Sequence, residues 1–489
     1  MSKSIKEEVF SGVKWNALGK IGHYGAQFFV SIILARLLLP EEFGLVGMLA
    51  IFTAIAQVFI VSGMSSALIQ KKNANTTDFS TVFYYNIAIA ILFYFILFFS
   101  AKHIAAFYEE PKLIKLTKYI ALVFIINAFG TVQATILRKA LNFKKLNIIS
   151  VISVVFAGTI AIVMAFNGFG VYAIVGQSIA FATLSTILYW IFSDWKPKLV
   201  FSKNSFKSLF GFGSKLLLSA LLDQIYNNLS TLIIGKAFSA VQLGYFSRAK
   251  ATRDIPIQNT TGILNNLIFP IFAKSKNDED LVRHHLKFIG LISFVTFPLM
   301  VGLAIVAEPL TVLLFSDKWL PSVPILQILC IAGPAYPLSV VLVSTILAKG
   351  KSGLFLKLDI YKKIVGLTAM FIGLFFGFYP FLAAIVVAGT IGLLINFIFT
   401  GKMLQLGLMP YLKAIFPSIA LSLIMGGLSL LLSLILPKSH AIQLISLSAF
   451  GIIIYTGLSY LLKLDDYLYL KNLAKEKLFT KKTKPNYES

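Results

Sequence analysis

The residues best placed to do chemistry lie between Gly211 and Ala273, in two hydrophobic stretches that carry charges where a plain membrane anchor has none. In GFGSKLLLSALLDQIYNNLSTLIIG, Lys215, Ser219, Asp223 and Asn227 recur four residues apart. That spacing draws one polar stripe down a helix. In YFSRAKATRDIPIQNTTGILNNLIFPIFA, Arg248, Thr252, Asn259, Gly262 and Asn266 share a face, and Lys250, Arg253 and Asp254 lie on a neighbouring one. A charge at the bilayer centre costs roughly 3 kcal/mol on insertion scales and 10 or more in simulations, so such side chains face a bundle interior or a water-filled path. Two polar helices of this kind predict a wet cavity whose fixed charge is mostly cationic. Lys250 has Asp254 four residues on as a partner, and it and Arg248 are within snorkelling reach of the interface. Arg253 lies about 14 Å along the helix from Gly244, too deep for that.

The remainder of the chain is built to enclose such a cavity. Of 489 residues, 57% are hydrophobic and 13% charged, and mean hydropathy is +0.84. This is the composition of an all-α integral membrane protein. Runs long enough to cross about 30 Å of hydrocarbon fall at 13–38, 43–69, 79–101, 114–137, 146–166 and 169–192, then at 210–235, 245–273, 285–307, 323–347, 355–377 and 379–401, with a last pair at 411–436 and 441–463. About fourteen transmembrane helices are predicted. In the first, Lys20 and His23 lie deep enough to line the cavity. Pro40 and Gly44 are expected to hold a short external turn after it.

The net charge of +24 reflects topology rather than nucleic-acid binding. Most of the 44 Lys and Arg fall in alternate loops and at the two ends, which places both termini in the cytoplasm. No basic patch interleaved with aromatics occurs in a soluble segment. The single cysteine, Cys330, sits in an apolar run and excludes a disulfide framework or a cysteine-based metal site within the chain. His284-His285 reads as loop sequence without ligands at metal spacing, and no Walker motif appears.

An internal repeat decides the architecture. ILARLLLPEEFG at 33–44 aligns without a gap on IIGKAFSAVQLG at 233–244; Thr135, Ile136, Leu137 and Lys139 recur as Thr345, Ile346, Leu347 and Lys349; Gly168-Phe169 recurs as Gly377-Phe378. Six spans per unit is an even number, so two six-helix lobes related by a pseudo-two-fold axis along the membrane normal are expected. Residues 1–192 form the first lobe, 193–208 a cytoplasmic linker, 209–402 the second lobe, 403–463 an added pair of helices and 464–489 a basic cytoplasmic tail.

The pattern LARLLLPEEFGLVGM, the polar eighth span and the six-plus-six-plus-two count resemble the polysaccharide transporter family of the multidrug, oligosaccharidyl-lipid and polysaccharide exporter superfamily, which also holds the MurJ-type lipid II flippases and the MATE drug exporters. The resemblance covers essentially the whole chain. It implies a bacterial inner-membrane flippase that moves undecaprenyl-diphosphate-linked oligosaccharide by alternating access, works alongside membrane lipids and polysaccharide assembly proteins, and acts as a monomeric unit. A diphosphate in low dielectric needs cations, and the arginine fork matches phosphate oxygens. Arg253 and Arg248 are therefore the leading substrate-binding candidates, with Lys250, Lys20 and Lys215 as supporting charges and Asn259 and Asn266 on the same helix. MurJ-like relatives line the cavity with arginines of the first, second and eighth spans; here only the eighth carries arginine deep in the span, the first offers lysine and the second has none.

No cofactor is expected, and a coupling ion, Na⁺ or H⁺, is the open addition. Related exporters bind sodium among the seventh, eleventh and twelfth spans, which carry over to Asp223, Asp359, Asn396 and Thr400 here. Asp223 has a second reading as a partner of Lys215 or Arg253, and Asp359 as a partner of Lys362 or Lys363 at the interface. Two other function classes remain. A cation-coupled drug antiporter should have an acidic, aromatic cavity rather than a basic one. A membrane polymerase or glycosyltransferase would use acidic groups such as Glu41 and Glu42, but the external loops are too short to shape an acceptor site.

Overall fold

The structure is a computed structural model that describes residues 19, 22–275 and 277–479. Among the described residues there is helix and no strand. Ten helical stretches are long and apolar enough to cross a membrane, and their outward faces carry large exposed apolar side chains such as Phe99, Phe166, Leu434, Ile445 and Ile452. Apolar surface turned outward on this scale needs lipid around it, so the chain is a multi-pass membrane protein. Helices also occupy the four remaining expected positions, at 22–37, Lys203–Ala237, Ala240–Ala273 and Ser352–Leu374. The first is short within the described residues, and the others carry the polar groups noted above.

In chain order, α1 (22–37) is followed by α2 (Pro40–Met48), α3 (Ala50–Gln57) and α4 (Gly63–Gln70), which make one rod interrupted by a π turn at Val58–Ser62. Then come α5 (Thr76–Tyr108), α6 (Leu113–Lys139), α7 (Phe143–Phe166), α8 (Tyr172–Phe192), α9 (Lys203–Ala237) and α10 (Ala240–Ala273). The second series holds α11 (Asp278–Ile305), α12 (Ala307–Phe315), α13 (Ser322–Ile331), α14 (Ala335–Ala348), α15 (Ser352–Leu374) and α16 (Phe378–Leu404). It ends with α17 (Leu408–Ile435), α18 (His440–Leu461) and α19 (Asp465–Phe479).

Three boundaries differ from the sequence reading. Pro40 and Gly44 do not form a turn: Pro40 opens α2, where its missing N–H costs nothing, and Gly44 is buried inside that helix. The linker expected at 193–208 shortens, because Ser202 caps α9 by accepting from the Ser205 amide and the helix starts at Lys203. His284 and His285 are not loop residues; both lie in α11, begun at Asp278 by the Asn277 cap.

Local solutions recur between the two series where the sequence repeat predicts them. Asn75 accepts from the Asp78 amide at the start of α5, and Asn277 accepts from the Asp280 amide at the start of α11. Lys139 at the end of α6 bonds the carbonyls of Leu68 and Lys71. Its counterpart Lys349, just after α14, pairs with Asp278 at 2.8 Å. Gly168 and Gly377, before α8 and α16, both have positive φ.

By packing, the chain divides into two compact units, Met1–Ser247 and Arg248–Ser489, a division that falls inside α10. It therefore differs from the repeat boundary, because α9 packs with the first unit. Gly213 of α9 approaches Gly63 of α4 so closely that a Cβ on it would stand 2.7 Å from the Gly63 carbonyl oxygen. The first unit has one core around Met64, Leu68, Phe83, Val132 and Leu209 and another around Val30, Leu34, Leu38 and Ala161. In the second unit a core surrounds Phe272, Ile289, Leu342, Phe397 and Tyr411, and a smaller one joins Phe294, Leu421, Met425 and Tyr455.

Within the first unit, the start of α10 lies directly against α2. A Cβ on Gly44 would collide with the backbone carbonyl of Ala240, and one on Gly244 with that of Pro40. Gly44 and Gly244 are the last residues of the aligned repeat, so equivalent positions make reciprocal contacts. Backbone cannot yield as a side chain can. Gly44→Val and Gly244→Val should each lower stability by about 1–3 kcal/mol, read as a drop in melting temperature in detergent; unchanged melting of both variants would show that the helices do not meet here.

Candidate functional site

The site is built on α10, several of whose polar residues bond back to their own helix. Thr252 Oγ1 donates to the Arg248 carbonyl at 3.0 Å, Asn259 Nδ2 to the Ile255 carbonyl at 3.0 Å, and Thr260 and Thr261 to the carbonyls of Pro256 and Ile257 at 2.9 Å. Such bonds lower the cost of a hydroxyl or amide away from water. Pro256 adds a second irregularity: it lacks the N–H that would bond the Thr252 carbonyl, one turn after the start of the charged cluster.

The cations of this helix have different fates. Arg248 is buried, with 7% of its surface exposed, and its guanidinium lies 4.8 Å from the Phe315 ring and 5.2 Å from the Trp319 ring. Flat guanidinium faces pack well against aromatic rings, and a desolvated contact of this kind is worth about 2 kcal/mol. Arg248, expected among the substrate-binding cations, thus rests against two aromatic rings. The aromatic slot behind it, formed by the end of α12 and the turn after it, comes from far along the chain.

Arg253 keeps a charged, partly accessible head. Its Nε donates to Asp254 Oδ1 at 2.8 Å and an Nη donates to the same oxygen, with side-chain exposures of 19% for Arg253 and 24% for Asp254. Asp254, which helical spacing offers to Lys250, makes its hydrogen-bonded ion pair with its immediate neighbour Arg253. Lys250 itself is partly buried. On the same helix Asn259 is exposed, and a Cβ added to Gly262 would meet open space. The side chains of Lys215 and Asn266, and all of Lys20, lie outside the described residues. His23, predicted beside Lys20, bonds Ser150 Oγ through Nδ1 at 2.8 Å.

On α9, Ser219, Asp223 and Asn227 are all exposed, one turn apart, as their spacing predicts. Of the cation-coupling candidates, Asp359 follows the interface reading: its carboxylate pairs with Lys363 at 2.7 Å and lies 4.0 Å from Lys362. Asn396 and Thr400 are fully buried one turn apart on α16. Asn396 Nδ2 donates to Ser339 Oγ at 3.1 Å, whereas Asn396 Oδ1 and Thr400 Oγ1 have no hydrogen-bond partner in the protein. Buried oxygens without donors are unfavourable unless water or a cation meets them.

Several other acidic and histidine groups have structural partners. Glu41 pairs with Lys112 at 3.0 Å and raises the pKa of that amine, while Glu42 Oε accepts from the Leu39 amide at 2.7 Å at the start of α2. Glu109, just past α5, pairs with Lys236 at 2.8 Å, which holds its carboxyl below the usual range. His285 is fully buried, with Nδ1 2.8 Å from Thr345 Oγ1 and Nε2 3.1 Å from the Tyr411 hydroxyl, so it links α11, α14 and α17. Among the described residues no cluster of three or more His, Cys, Asp or Glu could hold a metal.

Sequence reasoning missed the Phe315–Trp319 slot, the Arg253–Asp254 pair and the His285 network. Only Asp254 left a local sign, in the adjacent letters of TRDIP.

Comparison with known proteins places this arrangement. The teichuronic acid biosynthesis protein TuaB of Bacillus subtilis is 30% identical over 354 residues, spanning 72% of this chain and 73% of the relative. The lipopolysaccharide biosynthesis protein WzxC of Escherichia coli is 26% identical, covering 76% of each chain. Among solved structures, the lipid II flippase MurJ in an inward closed conformation superposes with a TM-score of 0.74 at 17% identity, over 91% of this chain and 98% of that one. An inward-facing MATE transporter of the MOP superfamily gives 0.62 at 16% identity, over 79% and 94%. The fold is therefore that of MurJ and the MATE transporters. A family model described as polysaccharide biosynthesis protein matches residues 33–324. With more than half its length matched by that model, and a relative at 30% identity over most of the chain, this membrane protein belongs to the polysaccharide biosynthesis protein family.

Proposed function

We propose that the chain is a flippase that carries an undecaprenyl-diphosphate-linked oligosaccharide, a polysaccharide repeat unit, across the bacterial inner membrane by alternating access, with both termini in the cytoplasm. The observation that carries this reading is Arg253, a mostly desolvated guanidinium deep in the polar helix α10 with part of its head accessible. A cation so placed suits a diphosphate, because charge-assisted bonds to phosphate oxygens strengthen as water is excluded. Relatives named for teichuronic acid, lipopolysaccharide and succinoglycan biosynthesis, the last a transport protein, support a polysaccharide precursor as cargo. The basic character of α10 favours an anionic cargo over the cationic drugs of an antiporter, and the pairing of Glu41 with Lys112 removes the leading acid for a glycosyltransferase. For coupling, Asn396 Oδ1 and Thr400 Oγ1 are the oxygens we assign to a small cation such as Na⁺; Asp359, held by Lys363, is not needed for it.

Three outcomes follow for protein in liposomes containing a fluorescent undecaprenyl-diphosphate oligosaccharide. Arg253→Ala should slow leaflet exchange about tenfold or more, the worth of a charge-assisted hydrogen bond; exchange at the full rate would remove Arg253 from the substrate path. Arg248→Ala should act differently, lowering stability by roughly 2 kcal/mol while the rate per folded molecule stays within about twofold. If an imposed sodium gradient accelerates the wild type, Asn396→Leu combined with Thr400→Val should abolish that acceleration. A wild-type rate indifferent to the gradient, or a double variant that still responds, would end the coupling assignment.

A further inference from the structure

The Arg253–Asp254 pair carries one step more, and that step rests on the diphosphate reading of Arg253. A guanidinium offers five N–H donors along two usable edges. Asp254 occupies one of these, the edge formed by Nε and a neighbouring Nη, with both donors directed at the single oxygen Oδ1. The other edge is the one an incoming phosphate can take. Adjacent residues on a helix point about 100° apart, so the arginine must bend around the helix to reach Asp254, and its free edge is thereby aimed. Both side chains are partly accessible, so an anion reaching Arg253 meets the carboxylate as well.

We infer that Asp254 is a positioning residue that sets how tightly the diphosphate is held: it orients Arg253 and, by repelling a second anion on the same guanidinium, keeps the complex weak enough to release its cargo. A carrier needs that compromise, since a site must bind well enough to load and loosely enough to unload. Arg248 does not share the role, because its guanidinium is enclosed by Phe315 and Trp319. Asp254 thus distinguishes a transport site from a site that merely binds diphosphate.

The test uses the purified full chain in detergent, titrated with inorganic pyrophosphate by calorimetry at low salt, for wild type, Asp254→Asn, Asp254→Glu, Arg253→Ala and the double variant Arg253→Ala/Asp254→Asn. Asp254→Ser supplies a second neutral side chain should the Asn variant fail to fold, with melting temperature as the check. Neutralising Asp254 should tighten pyrophosphate binding about tenfold, the size of a close charge pair that is partly desolvated, and Asp254→Glu should stay near wild type. The gain should vanish in the Arg253→Ala background. In liposomes the neutral variant should lower KM and kcat for lipid-linked oligosaccharide together, a split that a merely structural aspartate would not produce. Unchanged or weaker binding by the neutral variants overturns the inference, as does an equal gain without Arg253, which would mark a general field effect. If Arg253→Ala binds pyrophosphate as the wild type does, the diphosphate reading itself falls; if it loses binding while neutralising Asp254 changes nothing, only the role of Asp254 falls.

Discussion

A charged side chain inside a membrane has to recover the hydration it gives up, and α10 concentrates that demand in a few turns. Arg248, Lys250, Arg253 and Asp254 lie in a helix where Thr252, Asn259, Thr260 and Thr261 have turned to their own backbone. Each solution to the demand recruits a different part of the fold. Arg248 requires two aromatic rings brought from α12 and the turn beyond it. Arg253 requires a carboxylate and some access to water. Hydrogen bonding within the helix covers the hydroxyls and amides, and Pro256 leaves one carbonyl without its usual intrahelical donor.

The duplicated architecture shows how one ancestral geometry carries unlike chemistry. Met48 in the first repeat stands where Arg248 stands in the second, and Tyr108 lies close to Met48 around Gly235. In the second repeat the corresponding place holds an arginine against Phe315. The apolar contact and the cation–π contact fill a similar gap between a helix and the end of its neighbour. The helix starts, by contrast, have barely diverged: Asn at the cap and Asp three residues on begin both α5 and α11, because the unpaired amides of a helix start are the same wherever it lies.

Buried polar groups separate into two kinds. His285 has both ring nitrogens engaged, by Thr345 and Tyr411, and serves to tie three helices together. Asn396 and Thr400 keep oxygens with no donor at all, although they lie on a helix as well packed as the others. A satisfied network rigidifies, whereas a buried oxygen without a donor bears a desolvation cost.

Hydropathy by itself determined the class of the protein and the placing of its long helices, because a fixed bilayer thickness and an all-or-none demand for backbone hydrogen bonding leave few alternatives. Spacing also determined that Ser219, Asp223 and Asn227 share one exposed face, since helical periodicity is local. What the tertiary structure decided were the partners. Helical spacing offers Asp254 to Lys250, and the folded helix adds a hydrogen-bonded ion pair with Arg253. Arg248 reads as another cavity cation until Phe315 and Trp319, remote in sequence, close over it. Gly44 reads as a turn residue until the Ala240 carbonyl occupies the space where its side chain would be. For Arg248 and Gly44 the deciding atom comes from a position that no local pattern can specify, and its effect depends on a few ångströms of approach that only the folded chain sets.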